Sequence, residues 1–295
     1  MRKISNSEAT AWLACRRLYL WGYYRNLTPK RTPDPFTRGT LGHLAFQRYA
    51  EALMAGLSHD AAMEAAMTAF KDAMGKLELA IIMQTQFLFT RYMNHPDNRG
   101  WPQWNVIGTE QHHDLKMNDE ITLPLRYDIM VEEKATGKIL IGDFKYTYDF
   151  WKYGDHDLNG QLPKYIYVMN ANGIQVHGGF LEEIRTRDLG KEKASDPKNL
   201  WRRTQYRPTM TKKRNVIKQH LLASMEITDF WNLPTDEERD FKAIPVLDKY
   251  GICKNCFFRE ACATYLDGGD VDLYLDMHFT QNTYGYNNQI SEDLV

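Results

Sequence analysis

The 295-residue chain has no apolar run approaching the ~20 residues of a membrane-spanning helix. Its opening stretch, MRKISNSEATAWLAC, has no uninterrupted apolar segment of the kind an export signal carries. Both absences point to a soluble cytoplasmic protein (host cytoplasm if a phage encodes it). Net charge is also lacking: 37 basic residues against 38 acidic ones leave −1. No global field draws such a chain to a polyanion or a membrane, so any nucleic-acid binding must come from a local patch. There is no internal repeat and no low-complexity tract. Asn26-Leu27-Thr28 matches a glycosylation acceptor, which has no meaning in a cytoplasmic protein.

Cysteine is scarce, with four in the whole chain. Three of them form the tight group Cys253-Lys-Asn-Cys256 and Cys262, a C-x2-C-x5-C spacing, and the fourth, Cys15, lies far upstream. In a reducing compartment grouped cysteines are more often ligands than disulfides. Thiolates converge in this way when one ion or cluster collects them, and such a centre would tie the two ends of the chain together.

An apolar content of 43% supports a substantial core. Residues 7–25 read as a helical, aromatic-rich segment and Thr32-Pro33-Asp34-Pro35 as a turn or linker. Leu41–Leu79 is helical, broken near Gly56–Ser58, and a further helix covers 80–94. Val106–Lys116, Leu123–Glu132 and Lys138–Tyr146 read as strands, with Lys134–Gly137 as a hairpin turn. Gln161–Asn170 is a predicted helix, Val176–Arg185 a strand and 211–231 a helix, and the polar tail from 271 to 295 is expected to be irregular. Helices, then a small sheet, then helices predict one α/β domain over residues 1–270. Its parts are a cluster segment (1–30), a helical insertion (38–95), a catalytic sheet and helix (104–190), and a basic segment with the second cluster segment (200–265).

The strongest chemical signal is Leu125-Arg-Tyr-Asp128-Ile-Met-Val followed across the turn by Ile139-Leu-Ile-Gly-Asp143-Phe-Lys145. Asp143 and Lys145 are two apart on a strand and share a face. A turn around Ala135–Thr136 sets Asp128 directly opposite Asp143, whereas a two-residue loop at Thr136–Gly137 sets it opposite Lys145. Both registers keep the three side chains together. Burying such charges uncompensated costs several kcal/mol, on the order of the penalty for any desolvated ion. A divalent cation would compensate the carboxylates, and an ammonium beside its water can help deprotonate that water or hold developing charge. The alternative is a solvated strand face with an ordinary ion pair. His43, near the start of a long helix, supplies an imidazole, and Glu110, near a strand end, is a further metal or water contact. Gln161 and Tyr165 stand at i, i+4 on one helix face, within reach of a phosphate or base.

Taken in order, these pieces resemble the PD-(D/E)XK nuclease superfamily, and within it the iron–sulfur RecB-type branch. That branch includes exonucleases of CRISPR adaptation and the nuclease domains of helicase–nuclease complexes. Cys15 is similar to the first cluster ligand, Gly39-Thr-Leu-Gly-His43 to the histidine motif, and Asp128 to the first metal carboxylate. Asp143-Phe-Lys145 resembles the D-x-K signature and Gln161-x3-Tyr165 the Q-x3-Y motif, while Cys253, Cys256 and Cys262 resemble the remaining cluster ligands. The resemblance implies a restriction-endonuclease-like core, with a small mixed sheet flanked by helices and a cluster stapling the chain ends. It implies a metal-dependent DNA exonuclease acting on single strands or ends, in repair, recombination or phage DNA metabolism, with a helicase or recombination protein as partner. His43, Asp128, Asp143 and the Phe144 carbonyl would bind Mg2+ or Mn2+, a set of hard donors suited to those ions. Lys145 would assist the attacking water. The cluster implied is 4Fe–4S, although four thiolates also suit zinc.

Trp201–Lys218 contains no acidic residue and carries Arg202, Arg203, Arg207, Lys212, Lys213 and Arg214, the expected phosphate contacts. Asp155-x-Asp157-x-Asn159-Gly160 copies half an EF-hand loop, but Ile166 stands where the bidentate Glu is required, so it reads as a polar loop with Asn159 as a helix cap. A structure-specific or restriction-type endonuclease, or a non-catalytic nucleic-acid-binding subunit of the same fold, are the competing readings.

Overall fold

The computed structural model describes residues 2–31, 34–151, 160–187, 196–248 and 251–282. The chain begins with β1 (Arg2–Lys3), α1 (Asn6–Ala14), α2 (Arg16–Tyr19), a π-helical turn (Leu20–Tyr24) and β2 (Leu27–Pro29). Three helices come next: α3 (Asp34–Met54), α4 (His59–Asp72) and α5 (Leu79–Met93). Then come β3 (Trp104–Thr109), β4 (His112–Lys116), β5 (Ile121–Arg126), β6 (Ile129–Glu133) and β7 (Lys138–Thr147). After α6 (Gln161–Ala171), β8 (Gly178–Arg185) and β9 (Trp201–Tyr206), the chain ends in α7 (Met210–Trp231), α8 (Asp236–Lys242), α9 (Arg259–Leu266), α10 (Val271–His278) and β10 (Phe279–Gln281).

The chain divides into two compact units, one from residues 1–32, 116–124 and 217–289, the other from 33–115 and 125–216. The second is built on a five-stranded mixed sheet of order β3-β6-β7-β8-β9. β3, β6 and β7 pair antiparallel, β7 and β8 pair parallel, and β9 closes the edge antiparallel to β8. The parallel pair requires a crossover, and α6 supplies it. Alternation sends Leu140 and Phe144 of β7 and Phe180 and Ile184 of β8 into a core with Phe46 and Phe89 of the α3–α5 layer and Trp101 of the segment before β3. On the opposite face Met130, Ile141 and Leu181 meet Leu162, Ile166 and Met169 of α6. Phe46 stacks on Phe144 at 4.1 Å between ring centroids. The helix can come this close because residue 42 is glycine: a Cβ there would lie 2.1 Å from Tyr146 Cε2. That approach brings the next residue, His43, to the end of the sheet.

The first unit gathers Trp12, Tyr19, Trp21, Phe230 and Phe258 into its own core. The mixed α/β character with helices flanking sheets agrees with the sequence reading. Several local expectations do not hold. Asp34-Pro35, expected in a linker, opens α3, where proline in a first turn loses no hydrogen bond; Thr32 and Pro33 lie outside the described residues. Residues 271–281, expected to be irregular, form α10 and β10. There, Leu275 and Phe279 are buried at a spacing of four, Asp270 caps the Leu273 N–H, and β10 pairs with β2. Trp201–Tyr206, read only as part of a basic run, is an edge strand. The EF-hand-like stretch and Asn159 lie outside the described residues; α6 begins with Gly160 as its N-cap.

One residue of α6 defies its environment. Lys164 has no solvent exposure, and among the described residues its Nζ has no hydrogen-bond partner. Burial alone lowers its pKa to about 7. The unfolded chain therefore holds a proton that the folded chain lacks between about pH 7 and 10, so stability rises with pH across that window. Lys164→Met is expected to raise the melting temperature at pH 6–7, by on the order of a few kcal/mol of stability, and to flatten its rise toward pH 10. A wild-type stability that is level from pH 7 to 10 in denaturant titrations would contradict this.

Candidate active site

The β6–β7 hairpin decides which polar groups meet. Its register runs from Glu133–Lys138 to Ile129–Gly142, so the next step sets Asp128 opposite Asp143. This is the first of the two registers open to the sequence. The Phe144 N–H donates to Asp128 Oδ2 at 2.7 Å, locking the carboxylate against the neighbouring strand. Asp143 is almost completely buried, and Lys145 Nζ lies 3.0 Å from its Oδ1 and 2.8 Å from its Oδ2. From α6, Gln161 Nε2 donates to Asp143 Oδ1 and to the Tyr165 hydroxyl, both at 2.9 Å. The i, i+4 spacing read from the sequence thus places this pair against the hairpin carboxylate.

His43 approaches from α3. Its Nδ1 lies 3.4 Å from Asp128 Oδ2 and 3.9 Å from Glu110 Oε1. Glu110 stands just after β3, beyond a register shift between Val106 and Gly108. A bulge of this kind bends its strand and re-aims the residues after it. Gly108 suits it, since a Cβ there would lie 2.4 Å from the Tyr127 hydroxyl. Glu110 itself adopts a left-handed backbone (φ +49°), held by its N–H to the Asp128 carbonyl at 3.2 Å. The other oxygen of Glu110 receives Arg126 Nε at 3.1 Å.

His43, Glu110 and Asp128 offer ligand atoms all within 4.8 Å of one another. Of the ligand set that the resemblance implies, this group contains His43 and Asp128 but neither Asp143 nor Phe144. Glu110, a weaker candidate in the sequence, joins His43 and Asp128, whereas Asp143 is engaged by Lys145 and Gln161. Phe144 brings its N–H to Asp128. Arg126 went unassigned in the sequence although it sits inside the Leu125–Asp128 motif. Its only available signal was proximity to Asp128, because its partner is sixteen residues away.

The electrostatics favour a cation. Burial raises the pKa of Asp128, opposed by His43, and raises that of Asp143, opposed by Lys145. Burial lowers that of His43, but Asp128 and Glu110 outweigh it and lift the imidazole to about 9. Burial likewise lowers Lys145, and the two aspartates more than restore it, leaving it above its usual value. Lys145 is therefore an ammonium at neutral pH and suits charge stabilisation. Asp143 Oδ2 is buried with no hydrogen bond of good geometry. Three converging oxygen and nitrogen donors beside a buried carboxylate fit a hard divalent ion.

The basic run divides in two. Arg203 Nε donates to buried Glu182 at 2.5 Å, and Arg202 donates to buried Glu183 at 2.6 Å through Nη2. These two expected phosphate contacts are instead committed to neutralising glutamates inside β8. Arg207 and Arg214 are exposed, Lys212 sits 4.8 Å over the Tyr206 ring, and Lys212, Lys213 and Arg214 lie at the start of α7.

In the other unit Cys15, Cys253, Cys256 and Cys262 line one cavity of about 290 Å³ with Arg17 and Trp21. All four are free thiols. The Val246 N–H donates to Cys15 Sγ at 3.5 Å, and its carbonyl accepts from Cys253 Sγ at 3.1 Å. Burial, then the neighbouring thiols, push Cys256 up to about 11. Among the described residues no three of these sulfurs lie within 4.8 Å of one another.

A family model described as the PD-(D/E)XK nuclease superfamily matches residues 3–263. Similar solved structures include the crystal structure of SSO0001, 11% identical with a TM-score of 0.39, covering 87% of this chain and 83% of that one. Another is a crystal structure from Eubacterium rectale named "Putative exonuclease", 11% identical with a TM-score of 0.49, covering 85% and 86%. At these values neither likeness adds to the family match. No curated protein sequence matches the chain.

The charge on His43 generates a test. An imidazole that titrates near 9 must lose its proton to ligate a metal. Mn2+ affinity is expected to rise about tenfold per pH unit from pH 7 and to level off near pH 9, and His43→Ala to abolish the slope. Calorimetry in buffers of different ionisation heat reads both the affinity and the released proton. A pH-independent affinity in wild type would remove His43 from the ligand set.

Proposed function

The chain belongs to the PD-(D/E)XK nuclease superfamily, and from that premise we propose that it is a divalent-metal-dependent deoxyribonuclease of the RecB-type iron–sulfur branch, degrading DNA from single strands or ends. Membership alone makes it a nuclease, a hydrolase of phosphodiester bonds. The observation that supports metal dependence is the convergence of His43, Glu110 and Asp128 beside the Asp143–Lys145 pair; the branch and the preference for ends rest on the family pattern.

In this reading His43, Asp128 and Glu110 hold Mg2+ or Mn2+, with Asp143 and the Phe144 carbonyl as the further donors implied by the family pattern. A bound ion supplies Lewis-acid stabilisation and lowers the pKa of water. Asp143 orients the Lys145 ammonium, which stabilises the charge that accumulates on the phosphorus oxygens. Gln161 fixes Asp143 and the Tyr165 hydroxyl, so that both face the substrate in one arrangement. Arg207, Lys212, Lys213 and Arg214 are the proposed phosphate contacts along the strand. Positive side chains in the first turns of a helix oppose its dipole, and a bound anion relieves that conflict.

The cysteine cavity is proposed to hold a 4Fe–4S cluster with a structural role. A single tetrahedral zinc with Zn–S bonds of about 2.3 Å gathers its sulfurs within about 4 Å of one another. The cluster is instead what the family pattern implies, with each thiolate taking its own iron.

With Mn2+ the protein is expected to degrade linear single-stranded DNA and to spare covalently closed circles. Asp143→Asn and Lys145→Ala each lower the rate at least about a hundredfold with folding retained. Cutting of the closed circle would replace the exonuclease reading with an endonuclease one, and full activity in either variant would refute the role of the hairpin. Anaerobically purified protein is expected to be brown, with iron and sulfide in stoichiometric amounts, and Cys256→Ala to lose colour and solubility. Colourless protein carrying one zinc would overturn the cluster and leave the nuclease reading intact.

A further inference from the structure

Arg126 has no part in the ligand set or in the D-x-K signature, yet it belongs to the same group of charges. Its Nε lies 3.1 Å from Glu110 Oε2, while Glu110 Oε1 lies 3.9 Å from His43. One carboxylate therefore bridges a guanidinium and the imidazole that faces Asp128. Of the charged side chains at the site Arg126 is the most exposed, 40% against 31% for Lys145 and 1% for Asp143. It stands at the mouth, and its field reaches the Tyr165 hydroxyl on α6. A guanidinium has five N–H donors. One faces Glu110, and among the described residues no protein group takes the other four. Glu110, for its part, is held in a left-handed backbone conformation that costs a non-glycine residue about 1 kcal/mol or more. A carboxylate so placed serves a site better than it serves the strand that carries it.

We propose that Arg126 is a second phosphate-binding cation of the active site and that it competes with the divalent ion for the Glu110 carboxylate. Without a metal, Arg126 neutralises Glu110 and keeps the acidic group from repelling itself. Released from Glu110, the guanidinium presents its planar fork to the non-bridging oxygens of the phosphodiester, a geometry that matches bidentate recognition. The inference rests on the nuclease reading for its substrate, but not for the competition over Glu110. It predicts opposite signs for two measurements on one variant, which a purely structural role does not.

The test uses the full chain with Arg126→Ala, Arg126→Lys and Arg126→Gln, each checked for wild-type melting behaviour so that at least one well-folded variant is compared. Mn2+ affinity without DNA, read by calorimetry, is expected to rise about twofold to fivefold in Arg126→Ala, the scale of a half-exposed ion pair. Cleavage of a single-stranded oligonucleotide at saturating Mn2+ is expected to fall at least about tenfold in kcat/KM, a loss in the range of one charge-assisted contact. Binding of that oligonucleotide in Ca2+ should lose about 0.7 from the slope of log affinity against log salt, one phosphate's share on a single strand. Arg126→Lys should restore the salt slope but only part of the rate, because an ammonium lacks the fork. Metal affinity and cleavage falling together in Arg126→Ala would make the residue a structural prop and overturn the proposal, as would an unchanged salt slope. A wild type that cleaves and binds no DNA would refute the nuclease reading and the phosphate role with it, and the Mn2+ comparison would still decide the competition for Glu110.

Discussion

The antiparallel register of β6 and β7 is the constraint on which the catalytic unit depends. Strand pairing has a period of two, so a slip of one residue would turn Asp143 and Lys145 toward the α3–α5 core and bring Phe144 and Tyr146 out. The buried stack of Phe144 on Phe46 makes that slip costly. The same register places the Phe144 N–H on Asp128, so one backbone choice orients an apolar core on one face and an acidic site on the other. A sheet covered on both sides can carry this division because its strands are specified twice, by the α3–α5 layer on one face and by α6 on the other.

Within that frame the site is an arrangement of unresolved charge. Burial raises the proton affinity of both aspartates, and His43 and Lys145 offset this by staying protonated. Each compensating cation is a provisional partner: His43 must yield a proton to ligate, and Arg126 stands on a carboxylate that a metal would also take. Such mutual frustration costs stability, and functional sites are where folds retain it. The contrast with Glu182 and Glu183 is instructive. There, equally buried acids meet arginines that fully engage them, and the outcome is structural.

The cysteine unit illustrates a different economy. It draws its residues from both ends of the chain and surrounds one cavity with four thiols and the buried Arg17. Burial first, and the neighbouring thiols after it, raise the pKa values of Cys256 and Cys262, and four thiolates there would repel one another. Convergence of this kind is stable as protonated thiols or as ligands of a strongly bound centre.

Residue type and spacing alone specified the hairpin, the α6 crossover helix, the i, i+4 pair Gln161 and Tyr165, and the gathering of the four cysteines, because each depends on local periodicity or on rare residues with few other uses. They also placed Asp128, Asp143 and Lys145 together, since alternation along a strand dictates which side chains share a face. What they left open was everything that depends on partners distant in sequence. Arg202 and Arg203 looked like free cations until β8 supplied two buried glutamates. The order of residues 271–281 rested on two buried apolar positions within a polar stretch. Glu110 and Arg126 became parts of one site only through a bulge and a left-handed residue that no periodicity announces. Charge and spacing are written along the chain, but whether a charge is neutralised, exposed or poised depends on what folding brings beside it, and that was settled by tertiary structure alone.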